Sequence, residues 1–269
     1  MTQMAPFSSC LSVSTASVRG RDHLRLARNN QDAAAAYVGN DLLVAVVADG
    51  CSAGASSEVG ARFAAAWLSR WVPRLVRADE PARVWIDGVS RALLAALSSM
   101  ACALSPSRDD LPMVVHDFLL FSFLAVVVER ERTVVFGAGD GIYAVDGESV
   151  VLDPGPQNAP AYISYALLDD PIDARFAVRE RAMLHREIAT RDVRSVLVAT
   201  DGVVELLDAR GAEDELRDGT RRADLAQFEH ARYARNPSLL QKRLTVLGDS
   251  GALFRDDTTI ALVLRKENG

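Results

Sequence analysis

The run Leu42-Leu43-Val44-Ala45-Val46-Val47-Ala48-Asp49-Gly50 constrains this chain most. Its seven apolar residues are too few to cross a membrane and, being rich in Val, read as a strand buried on both faces. The run stops abruptly at a carboxylate and a glycine, so the strand would hold Asp49 rigidly at its mouth, where the sheet meets solvent. Gly50 has no Cβ to shield its carbonyl. A later segment, Ser195-Val196-Leu197-Val198-Ala199-Thr200-Asp201-Gly202, repeats the device. One Asp-Gly is ordinarily a turn. Two at strand ends, with the acidic pair Asp256-Asp257, point to a carboxylate cluster for hard cations.

The bulk numbers narrow the class. With 269 residues, 49% of them hydrophobic and 25% charged, the composition is globular, and no Pro/Gly/Ser-rich linker divides it. A single domain over residues 1–269 is expected, its motifs spanning about 12–264. A formal net charge of −6 argues against a nucleic-acid partner. Cys10, Cys51 and Cys102 are scattered and odd in number, which fits a reducing cytoplasm better than a disulfide framework or a zinc pair. Residues Met1 to Ser14 lack a basic segment followed by an apolar core. No apolar run reaches the ~20 residues of a membrane helix. A cytoplasmic protein without a membrane partner is the expectation.

Along the chain, Leu11 to Val18 predicts an early strand, and Ala33 to Val38 a small-residue strand paired as a hairpin with the organising run through Gly39-Asn40-Asp41. Phe63, Trp67, Trp71 and Leu75 recur every four residues and predict the core stripe of a helix that Pro73 kinks or ends. Ile86, Val89, Leu93 and Leu97 predict a second helix beginning near Pro81. The middle third turns to β: Leu119 to Val128, then Thr133 to Phe136, a break at Gly137 to Gly141, and Ile142 to Val145. The Asp146-Gly147 hairpin leads on to Val150-Val151-Leu152. Helices are expected over about Ala223 to Tyr233 and Ser238 to Leu247, and a last strand over Thr258 to Leu264. Strand-rich blocks with helices between and after them, without βαβ alternation, predict an α+β protein of packed sheets covered by helices.

The order Gln31-Asp32, Ala48-Asp49-Gly50, Gly139-Asp140-Gly141, Thr200-Asp201-Gly202 and Asp256-Asp257-Thr258-Thr259 resembles the PPM family, the type 2C metal-dependent protein serine/threonine phosphatases. Ser17 to His23, running on to Asn30-Gln31-Asp32-Ala33, is similar to a bacterial branch of it. The resemblance implies two antiparallel sheets packed as a sandwich and flanked by helix pairs. It implies two Mg²⁺ or Mn²⁺ ions, with Asp49 bridging both, the Gly50 carbonyl on one, and Asp201 and Asp256 completing the other site. Asp140 would serve a third, weaker position, and Asp32 would orient waters from behind. A hydroxide bridging the metals would attack phosphoserine or phosphothreonine directly. The implied partners are a phosphoprotein substrate and a cognate serine/threonine kinase, which no residue here identifies.

Phosphate needs a cation or a donor. Many family members carry an Arg four residues before the acidic residue matched by Gln31; here that position is Ala27, and Arg28 stands one place later. His23 matches a bacterial-branch His expected to contact phosphate or protonate the leaving oxygen. Where relatives can use a His directly after Asp-Gly as the acid, this chain has Cys51, which leaves a metal-bound water as an alternative donor. A thiol route fits poorly: only Cys102 has an Arg six residues on, and Pro106 removes a backbone donor from that loop. The rival reading is a non-catalytic binding module that keeps the fold, on the grounds of Ala27, Cys51 and the bulky Phe121-Ser122-Phe123 where small Thr residues are common.

Overall fold

The computed structural model describes residues 7–155, 160–168, 181–208, 225–249 and 254–266. In chain order, α1 (Phe7–Cys10) leads into β1 (Leu11–Val18) and α2 (Arg21–Arg25). The hairpin β2 (Ala33–Val38) and β3 (Leu42–Gly50) follows, then the long helices α3 (Glu58–Leu75) and α4 (Ala82–Leu104). Next come α5 (Leu111–Val114), a π-helical turn Val115–Leu119, and β4 (Phe121–Glu129) to β5 (Arg132–Ala138), β6 (Gly141–Val145) and β7 (Glu148–Leu152). After β8 (Met183–Ala189) and β9 (Ser195–Ala199) come α6 (Val204–Asp208), α7 (Ala231–Arg235), α8 (Ser238–Asp249) and β10 (Thr258–Arg265).

The strands form two five-stranded sheets, in the orders β1-β10-β9-β6-β7 and β2-β3-β4-β5-β8. Every pairing is antiparallel. Alternation along each strand builds the layers. In β3, Leu43, Ala45 and Val47 meet Leu124, Val126, Val198, Ala261 and Val263 between the sheets. Val44, Val46 and Ala48 face α3 and α4 on the other side. Ile142, Leu197, Ile260 and Leu262 pack outward against Leu240 and Leu244 of α8. The result is an α-β-β-α sandwich whose central strands are buried on both faces, as the run of Leu and Val in β3 requires.

Chain reversals are set by local chemistry. At Asp146-Gly147 both residues take positive φ (49° and 87°), the backbone a two-residue hairpin needs, and β6 and β7 pair around it. Gly139 (φ 88°) and Gly141 (φ 125°) carry the chain from the second sheet into the first, which places Asp140 at the crossing.

Two expectations are corrected. The face of α3 that meets the sheet is Ala61, Ala64, Ala65, Leu68 and Val72, whereas Trp71 is 47% exposed and stacks on Trp67 at 5.8 Å. At its start the helix also lies close to the π-helical turn Val115–Leu119: a Cβ on Gly60 would sit 2.6 Å from the Phe118 carbonyl. Pro73 sits inside the last turn of α3. The second correction concerns the helix expected over 223–233. Residues 223–224 lie outside the described residues, and the rest is a 3₁₀ turn Leu225–Phe228 and the separate α7. The break falls where the Glu229 carboxylate accepts the Ser195 hydroxyl (2.7 Å) and His230 accepts the Arg232 amide (3.1 Å). The α4 stripe Ile86, Val89, Leu93 and Leu97 is buried as read. By length and composition this 23-residue helix is apolar enough to cross a membrane, which the sequence reading did not anticipate; here that stripe packs on the second sheet.

A buried carboxylate ties the sheets together at one end. Asp257, just before β10, accepts the backbone N–H of Gly20 (2.7 Å) and of Gln31 (2.6 Å), and lies 2.8 Å from Nδ1 of His23. These donors belong to the segment that leaves the first sheet after β1 and enters the second at β2. Close approach makes the grip possible, since a Cβ on Gly20 or Gly202 would fall 2.2 or 2.1 Å from backbone atoms of Asp256 or Asp257.

Two stability measurements check this account. Leu68→Ala should cost about 2–5 kcal/mol in urea unfolding, whereas Trp71→Ala, half-exposed, should cost about 1 kcal/mol or less. Asp257→Asn puts an amide N–H₂ against donors and should cost about 2–4 kcal/mol at an unchanged m-value.

Candidate metal and phosphate site

Strand ends converge at the edge where Asp257 sits. Asp49 closes β3, opposite Ser122 of β4, and Gly50 pairs with Phe121. Asp140 occupies the crossing from β5 to β6, Asp201 opens the 3₁₀ turn after β9, and Asp256 precedes β10. The side chains surround one cavity of about 320 Å³, lined by Asp49, Gly50, Asp140, Asp201 and Asp256 together with Cys51, Ser52, Ala53, His116, Ser122, Tyr162 and Tyr165, among others. Phe121 and Phe123 point away into the helix-side core, so their bulk does not fill the cavity; Ser122 faces it.

Loss of hydration leads the electrostatics, and crowding of like charge adds to it. The Asp49 carboxyl is pushed well above its ordinary range by loss of hydration and by Asp32, Asp201, Asp140 and Asp256. Burial and Asp201 raise Asp140 to about 6, and burial and Asp201 also raise Asp256. Asp32 is raised by burial and by Asp257. Its Oδ2 accepts the Thr200 hydroxyl (2.8 Å), while Oδ1, buried, has no partner. Oε1 of Gln31 is likewise buried and unpartnered. Carboxylates gathered around one cavity, with unsatisfied oxygens behind it, fit hard divalent cations, which take oxygen ligands and relieve the repulsion. No Lys or Arg lines the cavity among the described residues.

The predicted residues thus divide. Asp49, Gly50, Asp140, Asp201 and Asp256 share the cavity wall; Asp32, His23 and Arg28 do not line it. His23 is buried, held on Asp257 at 2.8 Å and 4.0 Å from Asp256, so these three form a compact group that reaches the wall through Asp256. Of the adjacent acids, Asp256 is the exposed one and Asp257 the buried one. Arg28 donates to the Ser52 carbonyl (2.6 Å), in the exposed loop that follows Gly50. Ala27, exposed, takes φ 53° at the turn before it.

His116 and Tyr162 were not read as site residues from sequence. His116 stands with Asp117 as a polar interruption in the apolar stretch from Leu111 to Val128, the one available signal. Tyr162 has none; its hydroxyl meets Cys51, and burial with Cys51, Asp49 and Asp140 drives its pKa far up.

The family model for protein phosphatase 2C matches residues 19–244. Among solved structures, a bacterial serine phosphatase superposes with a TM-score of 0.56 at 13% identity, covering 96% of this chain and 99% of the other. The serine/threonine phosphatase Stp1 from Staphylococcus aureus gives 0.57 at 13% identity, covering 100% of both chains. The Mycobacterium tuberculosis serine/threonine phosphatase PstP/Ppp gives 0.53 at 17% identity, covering 96% of this chain and 100% of that one. The catalytic domain of the serine/threonine protein phosphatase PstP in complex with two manganese ions gives 0.51 at 17% identity, covering 96% of this chain and 99% of that one. At these identities the likeness is one of fold. A comparison with curated protein sequences gives no match. By the family match over most of its length, the chain belongs to the protein phosphatase 2C family.

Proposed function

We propose that this chain is a single phosphatase-like domain that hydrolyses phosphoserine or phosphothreonine in a cytoplasmic phosphoprotein, using Mg²⁺ or Mn²⁺. One observation carries the reading: a cavity of about 320 Å³ is walled by four carboxylates without a Lys or Arg among its described lining. Such a cavity repels a phosphate dianion unless cations bind first. Asp49, the Gly50 carbonyl, Asp201 and Asp256 would hold two ions, and Asp140 a weaker third. When bound, the ions would supply an activated water as nucleophile and neutralise phosphate charge. The chain's own residues do the rest. Asp32, anchored on Thr200, presents its unpartnered Oδ1 behind Asp49, where it orients water. His23 positions Asp256 through the buried Asp257. Arg28, fixed on Ser52, brings positive charge to the rim for phosphate. Attack at phosphorus needs no covalent intermediate on the enzyme. A protein kinase acting on the same substrate completes the cycle.

The alternative, a binding module, differs in one outcome. A phosphothreonine peptide should release phosphate with Mn²⁺ or Mg²⁺, not with chelator, and Asp49→Asn should lose at least about 10²-fold, on the scale of removing one transition-state electrostatic group. Cation binding without turnover would select the binding module instead.

Thermal unfolding gives an independent check. At 100 times Kd, a cation stabilises the wild type by about 2.7 kcal/mol. Asp49→Asn should lose that shift. Without metal, Asp49→Asn should melt higher than wild type, because one of the mutually repelling carboxylates has gone.

A further inference from the structure

Hydrolysis of a serine or threonine phosphate expels an alkoxide, which needs a proton. Candidates around the cavity are few. The carboxyls are committed to cations in the reading above, on which this inference rests. Tyr162 and Tyr165 are held above the ordinary phenol range by burial and by Cys51, which makes them poor donors. Cys51 is engaged with the Tyr162 hydroxyl. His23 is buried against Asp257 and does not line the cavity.

His116 remains. It lines the same cavity as Asp49, Asp140, Asp201 and Asp256. Its side chain is 53% exposed, and its Nδ1 lies 2.9 Å from Oδ1 of Asp117. Nε2 has no hydrogen-bond partner among the described residues. The backbone is fixed where the ring is needed. The π-helical turn Val115–Leu119 buries Val115 and Leu119 in the helix-side core. Ser56 N–H donates to the Asp117 carbonyl (2.8 Å), and a Cβ on Gly54 would sit 2.9 Å from the His116 carbonyl. The turn is therefore pressed onto the rim loop that follows Gly50. Such π-turns recur at functional sites because they displace one side chain from the regular spiral.

We propose that His116 is the general acid of this enzyme and that Asp117 is its positioning residue. Water oxygen forms the new P–O bond while the bond from phosphorus to the serine or threonine oxygen breaks. The electron pair of that bond passes to the departing oxygen, which takes the Nε2 proton of protonated His116. Asp117 accepts Nδ1–H throughout and so keeps Nε2 as the donating nitrogen. The exposed ring regains a proton from solvent, balancing the one released by the attacking water.

The test compares two substrates on the full chain with Mn²⁺: a phosphothreonine peptide and p-nitrophenyl phosphate, whose leaving group departs without a proton. His116→Gln should lower kcat on the peptide by about 10²–10³-fold and change the aryl ester much less. Asp117→Asn should show the same split, more weakly. In the metal-free protein, ¹⁵N NMR of the neutral His116 ring should show the Nδ1–H tautomer, shifting towards Nε2–H in Asp117→Asn. Equal losses on both substrates, no loss on either, or an Nε2–H ring in the wild type would overturn the assignment. A wild type inert towards both substrates would instead overturn the phosphatase reading, and the role of His116 with it.

Discussion

Repulsion among carboxylates is the constraint on which the rest of this structure depends. The sandwich aims the ends of β3, β9 and β10 and the crossing from β5 to β6 at one cavity, and each brings an aspartate. Burying and gathering these charges is unfavourable in the metal-free protein: burial first, and the neighbouring carboxylates after it, push the carboxyls of Asp49, Asp140 and Asp256 upward. The cost is borne by the double-sided burial of strands such as β3 and β4, whose side chains fill both the inter-sheet core and the helix-side core. A stable frame thus holds a local arrangement that is unstable by itself. That division is common where a site is built for a ligand of opposite charge.

The adjacent acids Asp256 and Asp257 show how one strand entrance serves frame and site together. At this bend before β10, Asp256 faces the cavity while Asp257 turns inward, satisfied by Gly20, Gln31 and His23. A buried carboxylate with several donors is costly to disturb and rigid when complete. It fixes the segment bearing Asp256 relative to the start of β2, where Asp32 lies. His23 enters the same lock, which explains a buried histidine on an otherwise basic, exposed stretch.

Bulky side chains on the strand that borders the cavity do not fill it, because they are turned elsewhere. Phe121 and Phe123 illustrate this. Phe123 meets Phe136 edge-on at 6.1 Å, and Phe136 meets Trp85 the same way at 5.3 Å, so the aromatic bulk is absorbed under α4. Between them, Ser122 keeps the cavity wall small and polar. At Cys51 the thiol meets Tyr162 instead of supplying an imidazole, and the histidine in the cavity comes from a different element.

By itself, the sequence determined most of the strands, though not the edge strand β8. Burial on both faces was written in the unbroken Val and Ala of β3, the β6–β7 turn in Asp146-Gly147, and the cluster of acids in repeated strand-end aspartates. These signals are local, a period or a turn residue, and the chain obeys them wherever it folds. The tertiary structure decided what depends on close approach between distant segments. It gave the sheet-facing side of α3 to Ala61, Ala64, Ala65, Leu68 and Val72 and left Trp71 half-exposed against Trp67. It split the helix expected before Tyr233, because Glu229 bonds Ser195 across the sheet edge. It also brought His116 and Tyr162 to a cavity whose carboxylates lie far from them along the chain. No spacing along a sequence encodes such a meeting; it exists only once the sheets have packed and their strand ends share one edge.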